Sequence, residues 1–212
     1  MSDTRRRLVD AATRVFAEQG VENASLLEVA RRAGQRNRGA VHYHFGSREG
    51  LLVAVLEQYT GFLAEREGEL LARAAWTPED ELPPVLEAVV RPAVELAETG
   101  WRGRCYLVVV AELAESDQAA LDPEVAAALA RTGGYEVYEL LIRRMPQLAE
   151  PVLTERLSLL TGFILRSVAD RARAVERGHG RAQLDTATFT ANLVAMAAGM
   201  VAAPPLTFKE PS

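Results

Sequence analysis

The chain has 212 residues, of which 49% are hydrophobic, and a formal net charge of −5 at pH 7. A single cysteine excludes a disulfide within the chain and a cysteine-rich zinc site, and no apolar run approaches the ~20 residues needed to span a bilayer. The amino-terminal residues Met-Ser-Asp-Thr-Arg-Arg-Arg lack the apolar segment of a secretory signal, so we expect a cytoplasmic protein with no membrane partner.

The charge is distributed unevenly along the chain. Arginines outnumber acidic residues in the first 50 residues, whereas the remainder is acidic. A basic end on an acidic body is typical of a DNA-binding domain carried by a larger sensing or oligomerising domain. The alternative is a solvated arginine-rich face with no binding role.

The first predicted element is a helix over residues 4–19. Its apolar residues repeat every three or four positions. Asp3 or Thr4 can cap its start, and Gly20 can end it. The apolar face of this helix must cover the elements that follow, which gives a three-helix domain.

A helix-turn-helix pattern comes next. Ser25 and Glu28 have the spacing of a capping box, which predicts the start of a helix. Gly34 can supply the positive φ that ends it. In this pattern the first residues of the second helix meet base edges in the major groove. Arginine pairs bidentately with guanine and asparagine with adenine, and the residues predicted at this position are Arg36, Asn37 and Arg38.

Residues 4–56 contain several short motifs in a fixed order: Phe16-Ala17-Glu18, Gly20, Ala33-Gly34, Tyr43-His44-Phe45, Ser47-Arg48-Glu49 and Leu51. Together they resemble the DNA-binding domain of TetR-family transcriptional regulators. The segment from Gly34 to Phe45 is one residue longer than the family pattern, and Gln35 stands where an apolar residue is usual. We therefore expect a reshaped turn.

The residue types and the resemblance predict a set of DNA contacts. Arg48 follows the helix cap Ser47 and could bind a phosphate together with helix-end N–H groups. Tyr43 and His44 could also reach phosphate, and a solvent-facing polar residue is the alternative for His42. The full predicted set is Ser25, Gln35, Arg36, Asn37, Arg38, His42, Tyr43, His44 and Arg48.

The rest of the chain predicts further helices, separated by proline and glycine. They cover approximately residues 48–75, 84–98, 104–115, 122–144, 150–177 and 186–202. Pro92 should kink or split the second of these, and Gly133-Gly134 should interrupt the fourth. The run at 104–115 could also be a buried strand, but a helix is preferred because no second strand is available to pair with it.

The resemblance implies a ligand cavity among the middle helices. The aromatic residues of this region favour a largely hydrophobic ligand, and Arg166 is a candidate partner for an anionic one. The predicted lining is Tyr59, Phe62, Trp101, Tyr106, Tyr135, Tyr138, Phe163 and Arg166. The alternative is that the aromatics are ordinary core residues and that Arg166 forms an internal ion pair.

The last two predicted helices are apolar around more than one stripe, so each needs more than one partner. In the family, two such helices pair with their copies in a second subunit. The candidate dimer residues are Leu157, Leu160, Ile164, Val168, Phe189, Leu193, Met196 and Met200. The alternative is that these helices close the core of a monomer.

The sequence therefore predicts an all-α, TetR-like homodimer with a DNA-binding domain at residues 1–47 and a regulatory and dimerisation domain at 48–212. The expected function is repression, relieved when a small, largely hydrophobic effector releases the protein from a palindromic double-stranded DNA operator. No catalytic motif is recognisable, and His42 and His44 have the wrong spacing for a helical metal pair, so we expect no enzyme activity, cofactor or metal. Alternatives are a ligand-independent architectural DNA-binding protein, or a helical small-molecule-binding protein or enzyme.

Overall fold

The computed structural model describes residues 2–37, 39–178 and 182–204, and the all-α prediction is confirmed. These ranges contain eleven α-helices, one 3₁₀ helix and no strand. The α-helices are α1 Asp3–Gln19, α2 Leu26–Arg32, α3 Gly39–Phe45, α4 Arg48–Leu56, α5 Thr60–Ala74, α6 Pro83–Glu98, α7 Trp101–Glu115, α8 Pro123–Ala130, α9 Tyr135–Arg144, α10 Glu150–Arg177 and α11 Thr186–Ala202. Over the same ranges, no helix has the length and apolar character needed to cross a membrane.

Helix α1 organises the amino-terminal part of the protein. Its apolar positions pack against α2, α4 and α7, and Leu8, Val15 and Phe16 are fully buried. The helix begins one residue earlier than predicted, because the Ser2 hydroxyl accepts a hydrogen bond from the Arg5 N–H at 3.3 Å and caps it. It ends at Gly20, which has a φ of 85°.

The prediction of one continuous helix over residues 48–75 is wrong. Helix α4 ends at Leu56, and α5 begins at Thr60 after Tyr59 has left the helical conformation (φ −125°, ψ 7°). The hydroxyl of Tyr106, on α7, donates to the Leu56 carbonyl at 3.0 Å and satisfies a group that the break leaves without a helical partner. Residues 57–59 form the joint between α4 and α5. The Gln58 amide donates to the Thr13 hydroxyl at 2.8 Å, which links this joint to α1.

Helix α7 lies in the middle of the molecule, between α1 on one side and α10 on the other, with α6 also in contact. This position explains its composition. Nine of its fifteen residues are buried, including the run Cys105 to Ala111, because a helix surrounded by other helices is apolar on all sides. The helical interpretation of the valine-rich run is therefore confirmed.

Two other expected interruptions have different outcomes. The segment 122–144 is divided into α8 and α9, with Gly133 and Gly134 at φ 118° and 97° between them. Pro92 does not split α6, which runs through it as one element. The buried core is continuous from α1 to α11, so the apolar packing does not stop at residue 47.

Candidate nucleic-acid interface

The helix-turn-helix is formed by α2, a turn and α3, and its local signals behave as predicted. The Ser25 hydroxyl accepts a hydrogen bond from the Glu28 N–H at 3.4 Å, which caps α2. The Ser25 N–H is in turn bound by the side chain of Gln19, at 3.2 Å, in place of the Glu28 carboxylate that a capping box would use. Gly34 has a φ of 75° and lets the chain turn after α2.

The turn before α3 differs from the prediction. Arg36 and Asn37 are exposed residues of the turn itself, because α3 begins only at Gly39. The Asn37 side-chain oxygen accepts a hydrogen bond from the Gly39 N–H at 2.9 Å and fixes the start of α3. Gln35 is half-buried, and its N–H donates to the Ala30 carbonyl at 2.8 Å. Arg38 lies outside the described residues.

The outer face of α3 carries an aromatic and imidazole cluster. His42 is exposed, and Tyr43 is 84% exposed. The Tyr43 ring meets His44 edge to face, with centroids 4.9 Å apart. Phe45 packs on the core below, and the Arg5 guanidinium covers its ring at 4.9 Å. The α3 surface thus offers a phenol and imidazole groups to a partner, while Phe45 anchors the helix.

Arg48 is placed differently from the prediction. Its guanidinium turns inward and donates to the backbone carbonyls of Val21 and Ala24, which belong to the segment between α1 and α2. It also lies over the ring of Phe16. The donors needed for a phosphate are therefore used inside the protein, and the expectation of a phosphate contact does not fit this geometry. The Ser47 cap itself is present, accepting from the Gly50 N–H at 3.0 Å.

The arginines of α2 are neutralised within the domain. Arg31 and Arg32 both donate to the Glu28 carboxylate at 2.7 Å, and Arg32 also reaches Glu18 at 2.6 Å. The hydrogen bonds from Arg31 and Arg32 lower the pKa of Glu28 to about 2. Because this carboxylate stays ionised, part of the positive charge that the sequence shows is not available to DNA.

Three of the predicted ligand residues share one cleft. Tyr59, Phe62 and Trp101 line a cavity of about 370 Å³ together with Leu96, Thr99, Gly100 and Arg102. Tyr106 is fully buried beside it, and its ring meets Tyr59 edge to face at 5.0 Å. Burial raises the pKa of the Tyr59 hydroxyl, while Arg102 lowers it and Asp10 raises it by smaller amounts.

The other predicted ligand residues lie elsewhere. Tyr138 and Phe163 are partly buried against the core, and the Tyr138 hydroxyl bonds that of Thr161 at 2.6 Å. Tyr135 is 75% exposed at the start of α9. Arg166 is also exposed and pairs with Asp170 at 3.0 Å. This pair fits the alternative interpretation of Arg166, an ion pair within the chain, although it lies at the surface.

Contacts between α1 and α7 were not predicted. Two guanidinium nitrogens of Arg102 each lie 2.8 Å from a carboxylate oxygen of Asp10. Two guanidinium groups lie over the Trp101 ring, that of Arg14 at 5.2 Å and that of Arg102 at 4.7 Å from its centroid. The sequence carried no signal for the contacts of Arg102 with Asp10 and of Trp101 with Arg14, because these partners are about 90 residues apart and have no characteristic spacing.

The predicted dimer residues divide into two groups. Leu160, Ile164, Val168 and Leu193 are buried in the core of the subunit itself, so they cannot form a surface for a second copy. Leu157, Phe189 and Met200 are half-buried, and Met196 is 49% exposed. The prediction was wrong for the first group because the most regular apolar stripe of each helix faces its own core. Leu159, which was not among the predicted dimer residues, is 57% exposed on α10.

Comparison with known proteins identifies the class. The family model described as "Bacterial regulatory proteins, tetR family" matches residues 8–55, and that described as "Tetracyclin repressor-like, C-terminal domain" matches residues 87–200. The chain belongs to the TetR family of bacterial regulatory proteins. This confirms the resemblance found in the sequence.

Individual relatives match only part of the chain. The HTH-type transcriptional regulator SrpR of Pseudomonas putida is 50% identical over 54 residues, which are 26% of this chain and 25% of SrpR. AcrR of Shigella flexneri is 34% identical over 92 residues, 43% of this chain and 42% of AcrR. The matches thus span less than half the length of these relatives. A crystal structure of a HlyIIR mutant shares the fold over 95% of this chain and 96% of its own, with a TM-score of 0.60 and 17% identity.

Proposed function

We propose that this protein is a sequence-specific DNA-binding transcriptional regulator, a repressor that a small, largely hydrophobic effector releases from a palindromic operator. Residues 1–47 would bind the DNA and residues 48–212 would bind the effector and a second subunit. The expected place of action is the cytoplasm, where the operator DNA is.

One observation carries the DNA-binding part of this proposal. The turn between α2 and α3 and the outer face of α3 form an exposed surface that includes Arg36 and Asn37 in the turn and His42 and Tyr43 on α3. It combines a guanidinium for base or phosphate contacts with side chains that can donate to phosphate oxygens. The surface is held from below by the Asn37 and Gly39 contact and by the packing of Phe45.

The exposed faces of α10 and α11 support the dimer. Leu159 and Met196 are large apolar residues exposed in the single chain, and Gly162 and Gly199 would let helices approach closely. A two-fold dimer would place two copies of α3 about one turn of DNA apart, ~34 Å, which corresponds to a palindromic operator.

The cleft at Tyr59, Phe62 and Trp101 is the proposed effector site. Its walls are aromatic and aliphatic apart from Thr99 and Arg102, and it adjoins the joint between α4 and α5. An effector that binds one arrangement of this joint better than the other would shift the protein between DNA-binding and non-binding forms. A hundredfold loss of operator affinity needs a coupling of about 2.7 kcal/mol.

The decisive experiment is selection of bound sequences from random DNA, followed by a screen for compounds that release the selected site. Enrichment of a palindromic sequence, with release by at least one compound, would support the proposal. Replacing Phe62 by alanine should then impair release and leave operator affinity unchanged. Binding without any enriched sequence, or a sequence that no compound releases, would favour an architectural DNA-binding protein.

A further inference from the structure

Arg102 lies at the boundary between two clefts. On one side is the effector cleft of about 370 Å³ that Tyr59, Phe62 and Trp101 line. On the other is a cleft of about 730 Å³ between the amino-terminal part of α1 and the joint of α4 and α5, which contains Asp10. Tyr59 and Arg102 belong to both linings. A ligand in the effector cleft can therefore contact Arg102, while the ion-pair partner of Arg102, Asp10, lies in the second cleft.

The chemistry of the effector cleft suits an aromatic acid. Three aromatic side chains supply flat apolar surface, and Arg102 is the one cationic residue in the lining. The planar guanidinium matches a carboxylate through two parallel hydrogen bonds. The Arg102 side chain is 51% exposed, so it is accessible from the cleft although Asp10 already binds it. Its stacking on Trp101, at 4.7 Å, keeps the group beside the aromatic wall.

Asp10 and a ligand carboxylate would compete for this guanidinium. Asp10 uses two of its nitrogens, each at 2.8 Å. A second carboxylate on the same guanidinium is repelled by the first, so tighter binding of one must weaken the other. Because Asp10 is on α1 and Arg102 is on α7, this competition acts on the contact between the DNA-binding part and the body.

We propose that the effector is an aromatic or similarly flat hydrophobic carboxylate, which binds in the Tyr59, Phe62 and Trp101 cleft and takes Arg102 from Asp10. This rests on the proposed function for the role of release from DNA, but the binding step does not depend on it. Loss of the Asp10 partner loosens α1 from α7 and thereby links ligand binding to the position of the helix-turn-helix.

The binding step is tested by calorimetry on the full chain with two probes of equal shape, cinnamate and its uncharged amide. Cinnamate should bind at least about tenfold more tightly, as expected for a hydrogen-bonded charge. In Arg102→Gln this preference should disappear. In Asp10→Asn the affinity for cinnamate should rise several-fold, because the competitor has lost its charge, and the affinity for the amide should stay the same.

Arg131→Gln is the matched control. Arg131 also forms an exposed ion pair with a distant residue, Glu57, which lies between α4 and α5, at 3.1 Å, and Arg131 does not line the effector cleft. It should bind both probes like the unmodified protein, and thermal unfolding should show that all three variants fold.

Equal affinity for both probes would overturn the proposal, as would a preference that survives Arg102→Gln. An unchanged cinnamate affinity in Asp10→Asn would overturn the competition. Failure of both probes to bind at millimolar concentration would exclude this ligand class. The proposed function is tested separately, by selection from random DNA with no probe present. It would be contradicted if the protein enriched no DNA sequence.

Discussion

The guanidinium carbon of Arg48 lies 5.9 Å from the centre of the Phe16 ring, so the first residue of α4 is anchored on the inner face of α1. The same guanidinium donates to the carbonyls of Val21 and Ala24. The sequence pattern predicts a phosphate contact for Arg48. In the structure, Arg48 instead holds α4 against α1 and the segment between α1 and α2.

Replacing Arg48 by alanine should lower the free energy of unfolding by about 1–3 kcal/mol, because two backbone carbonyls lose a charged donor. The salt dependence of DNA binding should not change. Urea unfolding and operator affinity at several salt concentrations measure both effects. If Arg48→Ala has normal stability and the salt slope of its DNA binding falls by about one unit, Arg48 contacts a phosphate as the sequence predicted. Arg48→Lys should be intermediate, since one ammonium cannot reproduce the fork of a guanidinium.

Arg36, which is exposed in the turn before α3, is the candidate for base recognition. Arg36→Ala should cost about 1–3 kcal/mol at particular base pairs of the operator and relax the preference there. Arg31→Ala is the control, because Arg31 is bound to Glu28 within α2. Affinities across a library of single-base operator variants distinguish the outcomes. If Arg36→Ala weakens all sequences equally, the residue contacts phosphate.

The exposed residue Leu159 tests the dimer. Leu159→Glu should weaken self-association on the order of a hundredfold or more, since an ion without a partner inside an interface costs several kcal/mol. Ile142→Glu is the control, an exposed apolar residue on α9. Sedimentation equilibrium gives the association constants. If both variants self-associate as strongly as the unmodified protein does, the interface lies away from this part of α10.

Glu67 should make stability depend on pH. Burial raises the pKa of its carboxyl above the usual 4.5 despite the hydrogen bond it accepts from the Gly134 N–H at 2.9 Å, and Glu136 adds to the rise. The folded state therefore holds this proton more tightly than the unfolded state. Its contribution to stability is greatest below pH 4.5 and is lost as the pH rises through the folded pKa.

Glu67→Gln should remove this dependence, because its amide oxygen can still accept from Gly134 and no charge is buried. We expect the variant to be more stable than the unmodified protein at pH 7 and to show a flatter profile from pH 4.5 upwards. Glu65→Gln, exposed on the same helix, is the control. Lower stability of Glu67→Gln at pH 7 would mean that the charged carboxylate gains more from Gly134 than it loses by burial.

Local signals in the sequence predicted local structure well. The Ser25 and Ser47 caps and the positive φ of Gly34 were all identified, because each depends on residues within a few positions of one another. The helix periodicity of the body was equally readable. The family's short motifs were specific enough to identify the DNA-binding domain.

What could not be predicted depends on contacts between distant segments. The break after Leu56 is stabilised by Tyr106, fifty residues away, so the apolar pattern alone suggested an unbroken helix. Burial is similarly undetermined by periodicity, which shows that a stripe such as Leu160 and Ile164 is apolar but not whether a neighbouring helix or a second subunit covers it. The inward turn of Arg48 belongs to the same group.

Helix α7 contacts α1 near one of its ends and the segment just after α1 near the other. Arg102 binds Asp10 at one end, and the Glu112 carboxylate accepts from the Val21 N–H at 2.7 Å at the other. These two points are about 15 Å apart along the helix, at 1.5 Å per residue. If the first contact were released while the second held, the amino-terminal half of α1 would lose one of its two polar attachments to α7. The buried packing of Leu8, Val15 and Phe16 would still hold the helix, so the resulting displacement would be largest near Asp10 and smallest near Val21.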